Sequence, residues 1–197
     1  EICACLVGSE MCIRDRGGDC RRMMPSYAWH ALREAKQNGH IASMEYLERL
    51  VLYKLRTTDA DDLHDIAEIG QGLEHRLEAA VRTSTTYDEL LDALTTVRYP
   101  RARMRRLAMD AALGCTADSL PALPPYLHLL GGKKDALPFL KNCALPVSHS
   151  LARLRGSGGA CTQMVEAQLA AADFGTLCRV SPEAMGGLLR QKNIFLT

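Results

Sequence analysis

From Tyr27 to Leu113 apolar positions recur at intervals of three and four, a period that predicts one helix after another. Ser26 can cap a first short helix through Trp29, Leu32 and Ala35, closed by Asn38-Gly39. Met44, Leu47, Val51 and Leu55 share one face of a second. Thr58 or Asp59 starts a third, with Asp59, Asp61, Asp62 and Asp65 near the positive end of its dipole and Leu63, Ile66 and Ile69 as its stripe. Gly70 and Gly72 interrupt, and Leu73 to Leu77 then continues the apolar pattern to Ala80 and Val81. Thr86-Tyr87-Asp88-Glu89 has the form of a capping box, heading a helix with Leu90, Leu91 and Leu94 inside. Tyr99-Pro100 breaks the pattern. Pro100 suits the first turn of a further helix that buries Met104, Leu107, Ala108 and Ala111 and ends at Gly114.

Beyond this point the texture changes. Pro121, Pro124 and Pro125 make a stiff connector to Tyr126-Leu127-His128-Leu129-Leu130 and a turn at Gly131-Gly132. Residues 134–141 read as helical with an interruption at Pro138, Ala144 to Val147 as a short strand and Gly156 to Gly159 as a loop. A final helix is expected around Thr162 to Ala172. The fold class is therefore mainly α: a multi-helix, bundle-like domain with a less regular C-terminal α+β segment. The expected organisation is a helical domain over 23–120 and a C-terminal subdomain over 121–197 packed on it. Residues 1–22 are set apart as a non-native or disordered segment. The chain opens on Glu1 rather than Met, which suggests an incomplete reading frame, and residues 7–16 resemble a translated sequencing-adapter string.

Composition narrows the function. With 47% hydrophobic but only 5% aromatic residues, the core must be aliphatic, as in packed helices. A net charge of +1 means that attraction to nucleic acid would need a local cluster. No run approaches the ~20 apolar residues of a membrane span, and Ile2 to Val7 lacks the basic stretch of a secretory signal. No membrane partner and a cytoplasmic location are expected. The eight cysteines, at 3, 5, 12, 20, 115, 143, 161 and 178, show no C-x-x-C spacing, so buried free thiols are expected rather than a metal site.

The needed cluster exists. Arg98, Arg101, Arg103, Arg105 and Arg106 fall within nine residues containing no acid. As a helix, Arg101 and Arg105 share one edge of the polar face, with Arg103 and Arg106 toward the other. Guanidinium groups so spread suit phosphate oxygens. The alternative is a solvated basic face paired with the acidic helix at 59–68. Gln37-Asn38-Gly39-His40 also admits two readings: an H-x-G-H-like phosphate-gripping string, or a helix stop. It follows a helix rather than a strand, which favours the stop.

Three strings, in order, carry a family likeness. Gln71-Gly72-Leu73-Glu74-His75-Arg76-Leu77 resembles an E-G-L-E-[NH]-R segment. Thr95-Thr96-Val97-Arg98-Tyr99-Pro100-Arg101-Ala102-Arg103-Met104-Arg105-Arg106 resembles a K-T-K-R-Y-T-x-x-R-L-x-R segment. Tyr126-Leu127-His128-Leu129-Leu130-Gly131 resembles Y-x-R-V-L-G. From Met23 to Cys178 the chain resembles the C-terminal half of the bacterial tRNA(Met) cytidine acetate ligase family, which is nucleotidyltransferase-like. Departures fall at Gln71, Thr95, Val97, His128 and Gly132.

The resemblance implies an ATP-dependent enzyme that acetylates N4 of the wobble cytidine through acetyl-adenylate. It implies elongator methionine tRNA as partner and no catalytic residue in this chain. On this expectation the chain is the tRNA-contacting, structural part of such a ligase. ATP belongs to the parent enzyme and no cofactor to this chain, because the N-terminal nucleotide-binding domain is missing. The RNA-binding candidates are Arg98, Arg101, Arg103, Arg105, Arg106 and Arg76. The competing expectation is a non-catalytic helical protein-interaction module.

Overall fold

The periodic segments fold as helices over nearly the lengths their apolar stripes cover. The computed structural model describes residues 21, 23–66, 69–70, 72–116, 118–119, 121, 123–190 and 194–196. The segment 1–22 that the sequence sets apart lies, but for Arg21, outside the described residues. The chain divides into two compact units, one up to Ile41 and one from Ala42 onward.

In the first unit the described structure centres on α1 (Ser26–Gln37). Pro25, not Ser26, occupies its N-cap, and no side chain caps it. At the other end Gly39 adopts φ 72°. The His40 amide reaches the Ala35 carbonyl at 2.8 Å and the Gly39 amide the Lys36 carbonyl at 3.2 Å. This pair of bonds is the Schellman closure, in which a glycine takes the left-handed conformation without a Cβ clash. Gln37-Asn38-Gly39-His40 is thus a helix C-terminus.

The second unit begins with α2 (Met44–Thr57), α3 (Ala60–His64), α4 (Leu73–Thr83), α5 (Tyr87–Leu94) and α6 (Arg101–Leu113). Their stripes merge into one aliphatic core: Val51 and Leu55 from α2, Leu73 and Leu77 from α4, Leu90, Leu91 and Leu94 from α5, Met104 and Leu107 from α6. Ser43 caps α2, its hydroxyl accepting the Glu45 amide at 3.3 Å. The Thr86 capping box is complete. Thr86 Oγ1 accepts the Glu89 amide at 3.2 Å, and Glu89 reaches back to the Thr86 amide at 3.3 Å. A carboxylate of α2 joins it from outside, Glu48 Oε1 accepting the Tyr87 amide at 2.8 Å. Small residues on α6, namely Ala108, Ala111 and Ala112, are buried in the same core, and α6 packs against both α2 and α5. Pro100 is the N-cap of α6 rather than a first-turn residue, and Gly114, at φ 68°, ends it.

The remainder is the less regular α+β segment. It comprises β1 (Leu127–His128), β2 (Gly131–Lys133), a 3-10 stretch (Lys134–Asn142) containing Pro138, β3 (Val147–Ser148), α7 (Leu151–Arg155), α8 (Gly159–Leu177), α9 (Gly187–Arg190) and β4 (Ile194–Leu196). The strands form two parallel pairs, β1 with β3 and β2 with β4. Where the sequence suggests a turn at Gly131-Gly132, the backbone is extended and pairs with Ile194 and Phe195. The last long helix runs from Gly159 to Leu177, well beyond the expected Thr162 to Ala172. A second core gathers Tyr126, Leu151, Leu154, Cys161, Val165 and Leu169, with the Tyr126 hydroxyl donating to Gln168 Oε1 at 2.7 Å. α8 also lies against α2 and α6, and its Phe174 packs on the first core. The molecule is mainly helical, as its pattern indicates.

The thiols divide. Cys161 and Cys178 are buried, Cys115 is half-buried, and Cys143 is exposed, against the expectation of burial. Among the described residues no helix is long and apolar enough to cross a membrane.

Truncating Leu90, which is fully enclosed, to Ala is expected to cost about 3 kcal/mol in chemical denaturation; Thr86→Ala should cost about 1 kcal/mol through loss of the cap. The Glu89 carboxyl is held below the usual carboxylate range, first by the Thr85 amide, then by the Thr85 hydroxyl, against a smaller opposing effect of burial. A carboxyl depressed in the folded state stabilises above its unfolded value, roughly 4.3, and loses that contribution as pH falls through the folded one. Glu89→Gln should therefore lower stability at neutral pH, and its deficit relative to the parent should shrink in melts taken at progressively more acidic pH.

Candidate nucleic-acid interface

The turn joining α5 to α6 is tight. Thr96 and Tyr99 exchange backbone hydrogen bonds of 3.0 and 3.1 Å, and the Tyr99 amide also donates to Thr96 Oγ1 at 3.0 Å. At its tip Val97 is fully exposed. Pro100 then starts α6, whose first turns carry the arginines and no acid.

Burial of Met104, Leu107 and Ala108 turns the other positions of these turns outward. Arg105 and Arg106 are exposed, and among the described residues neither has a carboxylate within ion-pair distance. Arg101 differs. Its guanidinium spans two acids of α5, meeting Asp88 Oδ1 at 2.5 Å and also pairing with Asp92. These acids sit one helical turn apart on the edge of α5 that faces α6, so one guanidinium reaches both. The Arg101 pKa is raised: burial acts to lower it, and the Asp92 and Asp88 carboxylates outweigh that.

Tyr99 collects two more of the arginines. The Arg98 guanidinium carbon lies 5.6 Å from the centre of its ring and that of Arg103 5.3 Å, both within cation–π range. The ring itself is half-buried against the first core.

Arg76 sits apart from this face. Its Nε donates to the Ala93 carbonyl at 2.8 Å, in the last turn of α5, where unpaired carbonyls favour a cation. The rest of its string is similarly architectural. Glu74 Oε1 accepts the Gly72 amide at 3.2 Å at the start of α4, and His75 meets His64 of α3 edge to face with ring centres 5.5 Å apart. Glu74 Oε2 is buried without a hydrogen-bond partner among the described residues. The carboxyl is held below its usual range, first by its own backbone amide, against burial, with smaller help from Gly72, His75 and His64.

The six sequence candidates thus separate into two exposed cations (Arg105, Arg106), two around an aromatic ring (Arg98, Arg103), one clamped between α5 acids (Arg101) and one tying α4 to α5 (Arg76). The acids of the alternative reading, Asp61, Asp62 and Asp65, form no ion pair with Arg76, Arg101, Arg105 or Arg106 among the described residues, and Glu68 lies outside them. Sequence reasoning missed Asp88 and Asp92 as partners of Arg101, whose spacing of four was the available signal, and Tyr99 as an anchor, since it was read only as a break and as part of the family string. A cavity of about 380 Å³ lies elsewhere, over Leu55, Leu63 and Val81 with Arg56 and Arg82 at its edge. No group of three or more His, Cys, Asp or Glu among the described residues is arranged to hold a metal.

Comparison with known proteins places this geometry. The model of a family described as HIGH Nucleotidyl Transferase matches residues 8–184. The tRNA(Met) cytidine acetate ligase of Staphylococcus carnosus is 33% identical over 89 residues, 45% of this chain and 23% of that protein. The protein of the same name from Bacillus cereus is 30% identical over 134 residues, covering 63% of this chain and 34% of its own length. Among solved structures, Thermotoga maritima TmcAL bound with alpha-thio ATP superposes with a TM-score of 0.80 over 96% of this chain and 52% of that one, at 19% identity, a likeness of fold. This chain therefore spans about a quarter to a half of the length of these relatives.

These findings correct part of the sequence reading. The nucleotidyltransferase family model lies on this chain itself, over most of its length. The expectation of a C-terminal structural part, with the N-terminal nucleotide-binding domain missing, is overturned, and so is the non-catalytic interaction module. Assigning ATP only to a parent enzyme and no cofactor to this chain falls with them. That expectation rested on three strings likened to the family's C-terminal half and on finding no H-x-G-H string behind a strand, and such short strings weigh less than a pattern matched along nearly the whole sequence. The chain belongs to the HIGH Nucleotidyl Transferase family.

Proposed function

We propose that this chain serves a tRNA(Met) cytidine acetate ligase-type reaction in the cytoplasm, and that the outward face of α6 holds the tRNA backbone. The name comes from the relatives in Staphylococcus carnosus and Bacillus cereus. ATP enters this reading as co-substrate from the nucleotide bound by the Thermotoga maritima relative, not from a described side chain.

One observation carries the RNA-facing part: Arg105 and Arg106 stand exposed on one helix with no carboxylate within ion-pair distance among the described residues. The N-terminus of α6 is the positive pole of its dipole, an effect that fades within the first turn and so bears on Arg101 rather than on Arg105 and Arg106. No acid occupies the first turn to relieve it. Arg101 is relieved by Asp88 and Asp92, but Arg105 and Arg106 remain exposed without a carboxylate among the described residues. Phosphate oxygens suit such groups, since they neutralise exposed guanidiniums through planar, bidentate contacts.

Exposed cations that neutralise phosphates release counterions, so affinity falls with salt in proportion to the contacts made. The double variant Arg105→Ala, Arg106→Ala should lower tRNA affinity at least about tenfold at low salt. It should reduce the log–log salt slope by about 1.4 to 1.8, as expected for two lost phosphate contacts. Filter binding at four salt concentrations measures both, and an unchanged slope rejects the phosphate role.

A further inference from the structure

Phosphate contacts position an RNA but do not read its bases. The turn ahead of α6 has a feature suited to contacting a base. Tyr99 is held half-buried by the first core and by its hydrogen bonds to Thr96. Its ring has one guanidinium carbon at 5.6 Å and another at 5.3 Å, so two planar cations share a fixed aromatic anchor. Arg103 is half-buried, whereas Arg98 is exposed at the tip of the turn beside Val97, the most exposed large apolar side chain described.

A valine left in water at a tight turn, next to an arginine whose guanidinium carbon lies within cation–π range of an aromatic ring, sets an apolar group beside a planar cation. We propose that Val97, Arg98 and Tyr99 form a stacking platform for an unpaired nucleobase. The base lies on the outer face of the Arg98 guanidinium with its edge over Val97, and Tyr99 fixes the guanidinium plane from beneath. This rests on the reading that α6 faces RNA, and it gives those residues a separate role, the selection of a looped-out base. Base stacking on arginine and aromatic planes is how unpaired RNA is commonly held. Bases stacked inside a duplex have no free face to offer the platform. The geometry thus favours a loop or bulge over a continuous helix.

Arg98→Lys separates stacking from charge, because lysine keeps the cation and loses the plane. The test uses the full chain and two RNAs of equal phosphate count, a hairpin with 2-aminopurine in its loop and a fully paired duplex. With the parent chain, the hairpin should bind more tightly and its 2-aminopurine fluorescence should change on binding. Arg98→Lys and, separately, Val97→Asn should weaken hairpin binding on the order of tenfold, abolish the fluorescence change, and leave duplex affinity and salt slope unaltered. Arg105→Ala with Arg106→Ala should instead weaken both RNAs alike and keep the fluorescence response.

Equal affinity of the parent chain for hairpin and duplex, or a full fluorescence response in Arg98→Lys, overturns the platform while leaving the phosphate contacts standing. Absence of salt-dependent binding to either RNA overturns both.

Discussion

Burial of the α6 stripe is the constraint on which the rest of the second unit depends. Met104, Leu107, Ala108, Ala111 and Ala112 are all buried in the first core, and α6 packs there against α2 and α5. Once those residues are inside, the helical period dictates where every arginine of α6 emerges. The basic face is therefore a consequence of core packing, and most of it is carried on a rigid element rather than on a loop. Deep truncation at Met104 would loosen the core and disperse the cations together.

The electrostatics then divide labour among chemically identical side chains. Arg101 and Arg76 are spent on architecture. The first bridges α6 to Asp88 and Asp92, and the second ties α4 to the carbonyl end of α5. Arg98 and Arg103 are gathered at Tyr99, while Arg105 and Arg106 face solvent. Exposed ion pairs such as that of Arg101 are individually weak. Their value here is geometric, since a guanidinium fixed between two acids sets the azimuth of the turn that follows Tyr99. The chain's membership of the nucleotidyl transferase family, and relatives named for tRNA, agree with the proposed phosphate partner for that surface.

Much of this was legible before any coordinates. α2, α4, α5 and α6 follow from apolar spacing alone, and the Thr86–Glu89 capping box and the Gly114 stop are local signals that tertiary context did not override. The five clustered arginines were equally visible. What was not legible depends on distant partners. The pairing of Gly131–Lys133 with Ile194–Leu196 joins segments far apart in the chain, and glycines that locally suggest a turn become strand. The full length of α8 was hidden because its alanine-rich sequence is apolar around most of its circumference, leaving no stripe to mark its ends. Asp88 and Asp92 were readable as helix residues but not as the partners of Arg101, a relation that exists only once α5 and α6 are packed. The family likeness was readable from three strings. The division of that family into a part present and a part missing was not, and the family match along residues 8–184 overturned it.

The most direct test of the central claim, that α6 and the turn before it form the RNA-facing surface, is ultraviolet cross-linking of the full chain to tRNA followed by mass spectrometry of the adducts. The account predicts adducts concentrated in peptides spanning Val97 to Arg106 and lost when unlabelled tRNA competes. Competed adducts confined to other segments, such as the exposed 3-10 stretch from Lys134 to Asn142, with none on α6, would contradict it.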